Sequence, residues 1–280
     1  MKLAQKLAVN YYRAKLNIIA VVSKRRAAKK ALDMFSTPFR KSKKKTASIF
    51  ERAEKLSFDL DGITIKGYRF NHPQENKLLI AHGFESTVKN FDRYITPFIK
   101  KGYEVLAFDG PAHGRSEGKR ITLPQYIKTL QEVNERYGPI NRFMAHSFGG
   151  LALAHLLESL KDQSQVKAVF IAPATETTTA IDSFFRFLDL DNEIRKEFDQ
   201  LILEKNGVPP SWFSIKRAME NIKAPVLWIH DEEDELTPLS DALKVKEANH
   251  PNVEFEITKG LGHRKIYREN KVVKRVTEFL

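Results

Sequence analysis

Ser147 stands where the apolar run Arg142 to Ala145 gives way to Gly149-Gly150 and a helical pattern through Leu151, Ala154, Leu157 and Leu160. A serine held in a sharp strand-to-helix turn can act as a nucleophile, because the turn exposes its hydroxyl and aims the helix N-terminus at a developing oxyanion. Such a turn leaves no room for large residues two places before and two after the serine, and Ala145 and Gly149 satisfy that condition. The Phe148 N–H then becomes a candidate oxyanion donor. A plain helix-capping serine would look the same locally, so other segments must decide. One is Leu78 to Glu85, an apolar run ending in His82-Gly83-Phe84, where glycine permits close backbone approach and the Phe84 N–H offers a second donor. Another is Phe108-Asp109-Gly110-Pro111-Ala112-His113-Gly114-Arg115-Ser116, read as scaffold with His113 held by hydrogen bonds.

The three motifs H-G-F, D-G-P-x-H-G-x-S and A-H-S-F-G-G, in this order and spacing, resemble the lipase, esterase and serine-aminopeptidase branch of the α/β-hydrolase superfamily over about Leu56 to Leu280. The resemblance implies an acid and then a histidine downstream of the serine, in loops after two later strands. The acid-bearing loop corresponds to His230-Asp231-Glu232-Glu233-Asp234-Glu235-Leu236-Thr237-Pro238, where Asp234 has the expected place and Asp231, standing where glycine is usual, is the reserve. His263 follows in Gly260-Leu261-Gly262-His263, placed to take the Ser147 proton while the carboxylate fixes its tautomer. The expected site is therefore Ser147, Asp234 and His263, with Phe84 and Phe148 N–H groups as the oxyanion hole and no cofactor. Of the other histidines, His82, His146 and His230 are expected beside the site, and His72, His155 and His250 at the surface or in packing. No histidine pair has the spacing of a zinc-binding helix.

The elements needed to position these residues are legible. Residues 56–60 and 63–68 alternate apolar and polar about Asp61-Gly62, a hairpin signal. Continuous apolar runs follow at 77–81, 104–108, 142–145, 166–171, 225–229 and 253–257, separated by helical patterns. Phe91, Tyr94, Ile95, Phe98 and Ile99 form one helical face before Gly102, and Thr122-Leu123-Pro124 opens a helix that stops before Gly138. Buried strands joined by helices predict a mostly parallel, twisted sheet with helices on both faces, the α/β-hydrolase fold. The stretch 175–222 is long, lacks a strand-like run and carries Phe184, Phe185, Phe187, Phe198, Trp212 and Phe213. It predicts a small helical lid, with Phe184, Phe185 and Trp212 as candidate substrate contacts, or an enlarged crossover helix pair with an aromatic core of its own.

The chain of 280 residues carries a formal charge of +12, but residues 1–57 hold 16 Lys+Arg against 3 Asp+Glu, which leaves the remainder balanced at 31 against 32. Its 0 cysteines exclude disulfides and thiolate catalysis. We divide the chain into a basic helical N-terminal extension, 1–54, and a catalytic domain, 55–280. In the extension Leu3, Leu7 and Tyr11 recur at a spacing of four, a second helical stretch runs through Ala27, Ala31 and Phe35, and Arg40 to Lys45 reads as a solvated linker. The extension has three readings: a solvated or self-associating helix, adhesion of residues 1–45 to an anionic membrane, and nucleic-acid binding, for which no reading motif is present. The short apolar run Leu16 to Val22 is a poor signal peptide and too short to span a bilayer, so a retained N-terminus and a cytoplasmic protein are expected, with membrane association following only from the second reading of the extension. The activity expected is cleavage of a carboxylic ester of a small acyl substrate, apolar or lipid-like, through an acyl-serine. Thioesterase, peptidase and acyltransferase chemistry use the same triad, and a non-catalytic binding protein of the same fold is the alternative outside enzymology.

Overall fold

The structure is a computed structural model and describes residues 3–39 and 46–280; the expected linker Arg40 to Lys45 lies outside the described residues. Eight strands form one sheet: β1 Glu54–Leu60, β2 Ile63–Phe70, β3 Lys77–Ala81, β4 Glu104–Phe108, β5 Arg142–His146, β6 Lys167–Ile171, β7 Val226–Asp231 and β8 Val253–Thr258. Their spatial order is β1-β2-β4-β3-β5-β6-β7-β8. The β1–β2 hairpin turns at Asp61-Gly62, β2 pairs antiparallel with β4, and every pairing beyond β4 is parallel. Each strand-like run of the sequence is one of these strands. Burial explains their composition. All of β4 and β7, and all but the first residue of β3, β5 and β6, are buried, whereas the edge strands β1 and β8 keep exposed positions.

The helices are α1 Leu3–Val22, α2 Lys24–Phe35, α3 Asp92–Lys100, α4 Leu123–Tyr137, α5 Phe148–Ser159, α6 Thr177–Leu188, α7 Asn192–Asn206, α8 Ile215–Ala218, α9 Leu239–Glu247, α10 Gly262–Lys265 and α11 Asn270–Phe279. The Thr122 hydroxyl accepts from the Gln125 N–H and the Gln125 side chain accepts from the Thr122 N–H, so a capping box starts α4 at the residue the sequence marks.

The chain forms two compact units. The sheet unit comprises Pro38–Thr175 and Ile215–Leu280. On one face of its sheet Leu78, Ile80, Val105, Ala107, Met144 and Val169 pack with Phe91, Tyr94, Ile95 and Phe98 around α3 and with Val272 and Val276 of α11. Phe50, only 1% exposed, joins this core edge-on to Tyr68 and Phe70, so packing of the sheet unit begins ahead of β1.

The helical unit comprises the chain up to Thr37 together with Glu176–Ser214, the stretch inserted between β6 and β7. Its apolar interior is shared by α2, which contributes Ala27, Ala28, Ala31, Leu32 and Met34, and α7, which contributes Ile194, Phe198, Leu201 and Ile202. Phe35 packs against Phe184 and Phe198, whose ring also meets Phe185. Outside that seam Lys24 pairs with Asp191, and Arg25 with Glu197 and Glu204. The basic charge of the N-terminal segment is thus matched in part by acidic α7 rather than left wholly to solvent. A bridge between Glu176 and Ser214, with the Ser214 hydroxyl donating to the Glu176 carboxylate at 2.8 Å, closes the insertion at its base.

Candidate active site

Ser147 follows β5 and precedes α5 with φ 57° and ψ −126°, a backbone region that residues with a Cβ occupy at a cost of order 1–3 kcal/mol. The turn is pinned on both sides. Its N–H donates to the Ile171 carbonyl at 3.2 Å, and its carbonyl accepts from Gly150 and Ala174 at 2.8 and 3.0 Å. Close packing dictates the neighbours: a Cβ at Gly149 would lie 2.5 Å from the His82 carbonyl oxygen, and one at Gly83 would lie 2.8 Å from the Ser147 Cβ. Ala145 is fully buried between Ala81 of β3 and Phe170 of β6.

The structure brings Ser147, His263 and Asp234 into one chain of hydrogen bonds. Ser147 Oγ lies 2.9 Å from His263 Nε2, and His263 Nδ1 lies 2.8 Å from Asp234 Oδ2. A carboxylate only accepts, so Nδ1 carries the proton and Nε2 is the acceptor for the serine hydroxyl. Burial pushes the Asp234 carboxyl up, but the hydrogen bond and charge of His263, with the Thr237 and Leu236 N–H groups, outweigh it and hold the acid below its ordinary range. Phe84 and Phe148, whose N–H groups are the candidate oxyanion donors, meet edge to face with ring centroids 6.0 Å apart. Phe148 opens α5, where an N–H has no intrahelical acceptor.

Asp231, the reserve acid, has a different set of partners. Its Oδ1 accepts from the Glu233 and Gly262 N–H groups at 3.1 and 2.9 Å, and its Oδ2 from the Thr258 hydroxyl and the Leu261 N–H at 2.7 and 3.1 Å. It fixes the turn that carries His263. Burial raises the Asp231 carboxyl and these donors lower it further, so it stays ionised.

Three buried histidines, each neutral by its partners, hold the surrounding loops. His82 Nδ1–H donates to the Gly83 carbonyl while Nε2 accepts from the Gly110 N–H. His113 Nδ1–H donates to the Pro111 carbonyl while Nε2 accepts from the Glu85 N–H at 2.9 Å, tying the Gly83-Phe84 loop to the D-G-P loop. His230 Nε2–H donates to the Thr237 carbonyl while Nδ1 accepts from Trp228. Burial lowers all three, His113 to about 4. His146 Nε2–H donates to the carbonyl of His263 itself at 3.0 Å, and burial followed by the His263 charge keeps it neutral. Asp109 accepts from the Thr87 hydroxyl and the Val88 and Arg115 N–H groups, bracing the same loops.

Sequence reasoning missed two residues. The Thr237 hydroxyl lies 2.9 Å from Asp234 Oδ2, 3.1 Å from His263 Nδ1 and 3.2 Å from the Ala172 carbonyl, so it sits against both groups of the acid–imidazole pair. Its place beside Pro238 in the acid loop was the available signal. The Tyr126 hydroxyl donates to the His82 carbonyl at 2.9 Å from within α4, and nothing in its local pattern distinguishes it from a core tyrosine. The candidate substrate contacts Phe184 and Phe185 lie in the helical unit, packed against one another and against Phe198, while Trp212 packs on Phe213 and is 37% exposed.

A family model described as serine aminopeptidase, S33, matches residues 72–208. The Pyrococcus furiosus esterase Pf2001 superposes with a TM-score of 0.62 at 22% identity, covering 88% of this chain and 97% of that one. The chain has the α/β-hydrolase fold. Among relatives of this α/β hydrolase, the uncharacterized protein YqkD of Bacillus subtilis is 27% identical over 254 residues, 82% of this chain and 81% of that protein. The lysophosphatidylserine lipase ABHD12 of Danio rerio is 23% identical over 232 residues, 77% of this chain and 60% of that protein. Relatives named as esterases and lipases support hydrolase activity for this α/β hydrolase.

Proposed function

We propose that this α/β hydrolase cleaves carboxylic esters of apolar acyl groups through an acyl-serine intermediate. The observation that carries the proposal is the continuous relay Ser147 Oγ to His263 Nε2 at 2.9 Å and His263 Nδ1 to Asp234 at 2.8 Å. His263 takes the Ser147 proton as the oxygen attacks the ester carbonyl, and Asp234 stabilises the imidazolium that results. The Phe84 and Phe148 N–H groups receive the oxyanion of the tetrahedral intermediate. Collapse breaks the bond to the alcohol, which leaves with the proton that His263 returns. Water then repeats the sequence on the acyl-serine, with His263 as base, and releases the acid. The names of related esterases and lipases favour an ester over an amide or thioester.

Labelling of the folded protein with a fluorophosphonate tests the nucleophile: modification at Ser147 is expected, and a folded chain that resists labelling would overturn the proposal. Hydrolysis of p-nitrophenyl esters of increasing chain length, compared in wild type, Ser147→Ala and His263→Ala, tests the bond and acyl class. Equal rates in all three would assign the activity elsewhere. Contact of residues 1–45 with an anionic membrane, one reading of the N-terminal extension, is separate from this chemistry.

A further inference from the structure

Helix α1 is apolar on two opposite faces. Leu16 and Ala20 are buried at 1% and 5% exposure, as an amphipathic helix of the helical unit requires. Yet Leu7, Tyr11, Ile18, Val21 and Val22 are 62%, 60%, 70%, 88% and 76% exposed. At 3.6 residues per turn these five side chains project within an arc of about 100°, centred opposite the buried face. An isolated exposed leucine needs no explanation, but a continuous stripe of five large apolar side chains does.

Charge identifies what covers the stripe. Residues 1–37 contain 9 Lys+Arg and 1 Asp. On α2, Lys24 is committed to Asp191, which caps α7, and Arg25 to Glu197 and Glu204 of α7. Lys15, Arg26, Lys29 and Lys30 are exposed, and among the described residues no carboxylate pairs with them. The Lys15 ammonium lies 5.7 Å from the Tyr11 ring centroid, so a cation borders the stripe itself. A second copy of the chain docked stripe to stripe would bring two stripes together, each bordered by the Lys15 cation and belonging to a basic segment. A nucleic-acid backbone would satisfy the cations and leave the valines and isoleucine in water. An anionic bilayer surface meets both needs, because acyl chains receive the apolar stripe at headgroup depth while lipid phosphates and carboxylates face the lysines.

We infer that α1 is a membrane-docking helix that lies in the interface of an anionic bilayer with Leu7, Tyr11, Ile18, Val21 and Val22 inserted. No helix among the described residues is long and apolar enough to cross a membrane, so α1 lies on the bilayer and does not span it. The inference concerns binding alone and stands apart from the esterase reading.

Flotation of the full-length protein with vesicles of phosphatidylcholine, with and without 30% phosphatidylglycerol, tests it. About tenfold or greater enrichment on the anionic vesicles is expected at low ionic strength, weakened by 0.5 M salt. Ile18→Asn combined with Val22→Asn changes exposed positions only. It is expected to leave the melting temperature unchanged and to reduce anionic-vesicle binding at least tenfold. Failure of the wild type to float, or equal flotation of the double variant, would overturn the inference. So would a salt-stable dimer in light scattering that dissociates in the double variant while vesicles bind neither protein, because the stripe would then be a self-association face.

Discussion

Exchanging each carboxylate of the acid loop for its amide separates the group that orients His263 from the group that holds its loop. In Asp234→Asn the amide nitrogen can face His263 Nδ1, now 2.8 Å from a carboxylate oxygen, and force the wrong tautomer, so the imidazole can no longer accept the Ser147 proton. Loss of about 10⁴ in kcat is expected from that change alone. Asp231→Asn acts otherwise. The carboxylate accepts from three backbone N–H groups and the Thr258 hydroxyl, two donors to each oxygen. An amide keeps one accepting oxygen and presents N–H groups to the other pair. The Thr258 hydroxyl can turn and accept, but the Leu261 N–H cannot. One charge-assisted bond is lost and another weakened, together about 2–4 kcal/mol of stability at roughly 1.5–3 kcal/mol for a bond to a charged group. The His263 loop then loosens, and a misplacement near 1 Å costs on the order of 10²-fold in kcat. The assays are kcat on a short p-nitrophenyl ester and urea denaturation, run on both variants. The reasoning fails if Asp231→Asn is the more damaging to kcat while Asp234→Asn retains activity within tenfold of wild type.

Thr237→Val removes the hydroxyl against Asp234 and His263, and we expect a roughly 10- to 100-fold drop in kcat, the cost of a mispositioned base, with KM nearly unchanged in the same ester assay. Gly149→Ala places a Cβ 2.5 Å from the His82 carbonyl and should cost about 1–3 kcal/mol by urea denaturation, with loss of fluorophosphonate labelling as the turn shifts. His113 titrates in the folded protein at about 4, against 6.5 when exposed. Between these values the unfolded chain binds the additional proton, so stability falls as pH drops from about 6.5 towards 4, by roughly 3 kcal/mol from this group alone. Melting temperatures across that range, compared with His113→Gln, should show a shallower slope in the variant.

The sheet was legible because its central strands are buried on both faces and therefore read as unbroken apolar runs, and because Asp61-Gly62 marks the β1–β2 hairpin. The turn at Ser147 was legible through Ala145 and Gly149, whose small size answers to neighbours that the structure places within 3 Å of any Cβ at position 149. The sequence favoured Asp234 over Asp231 by its place alone, since what separates the two carboxylates is which donors surround them: His263 and Thr237 at Asp234, and the Glu233, Leu261 and Gly262 N–H groups with the Thr258 hydroxyl at Asp231. The association of α2 with α7 was hidden for another reason. Lys24 and Asp191 are 167 residues apart, and a helical pattern states that a face is apolar without stating what covers it. In the sequence the alanine-rich face of α2 belongs to an N-terminal extension and the phenylalanines to a distant insertion, and no local pattern joins them.

That association has a consequence for synthesis. The 138 residues from 38 to 175 separate the two halves of the helical unit. At about 5–20 residues per second, α2 is made roughly 9–34 seconds before α7, the helix it packs against, is complete at Asn206. Throughout that interval the nascent chain presents an uncovered, cationic, apolar helix pair, available to a chaperone or to a nearby surface, and the unit closes only after most of the sheet has been made.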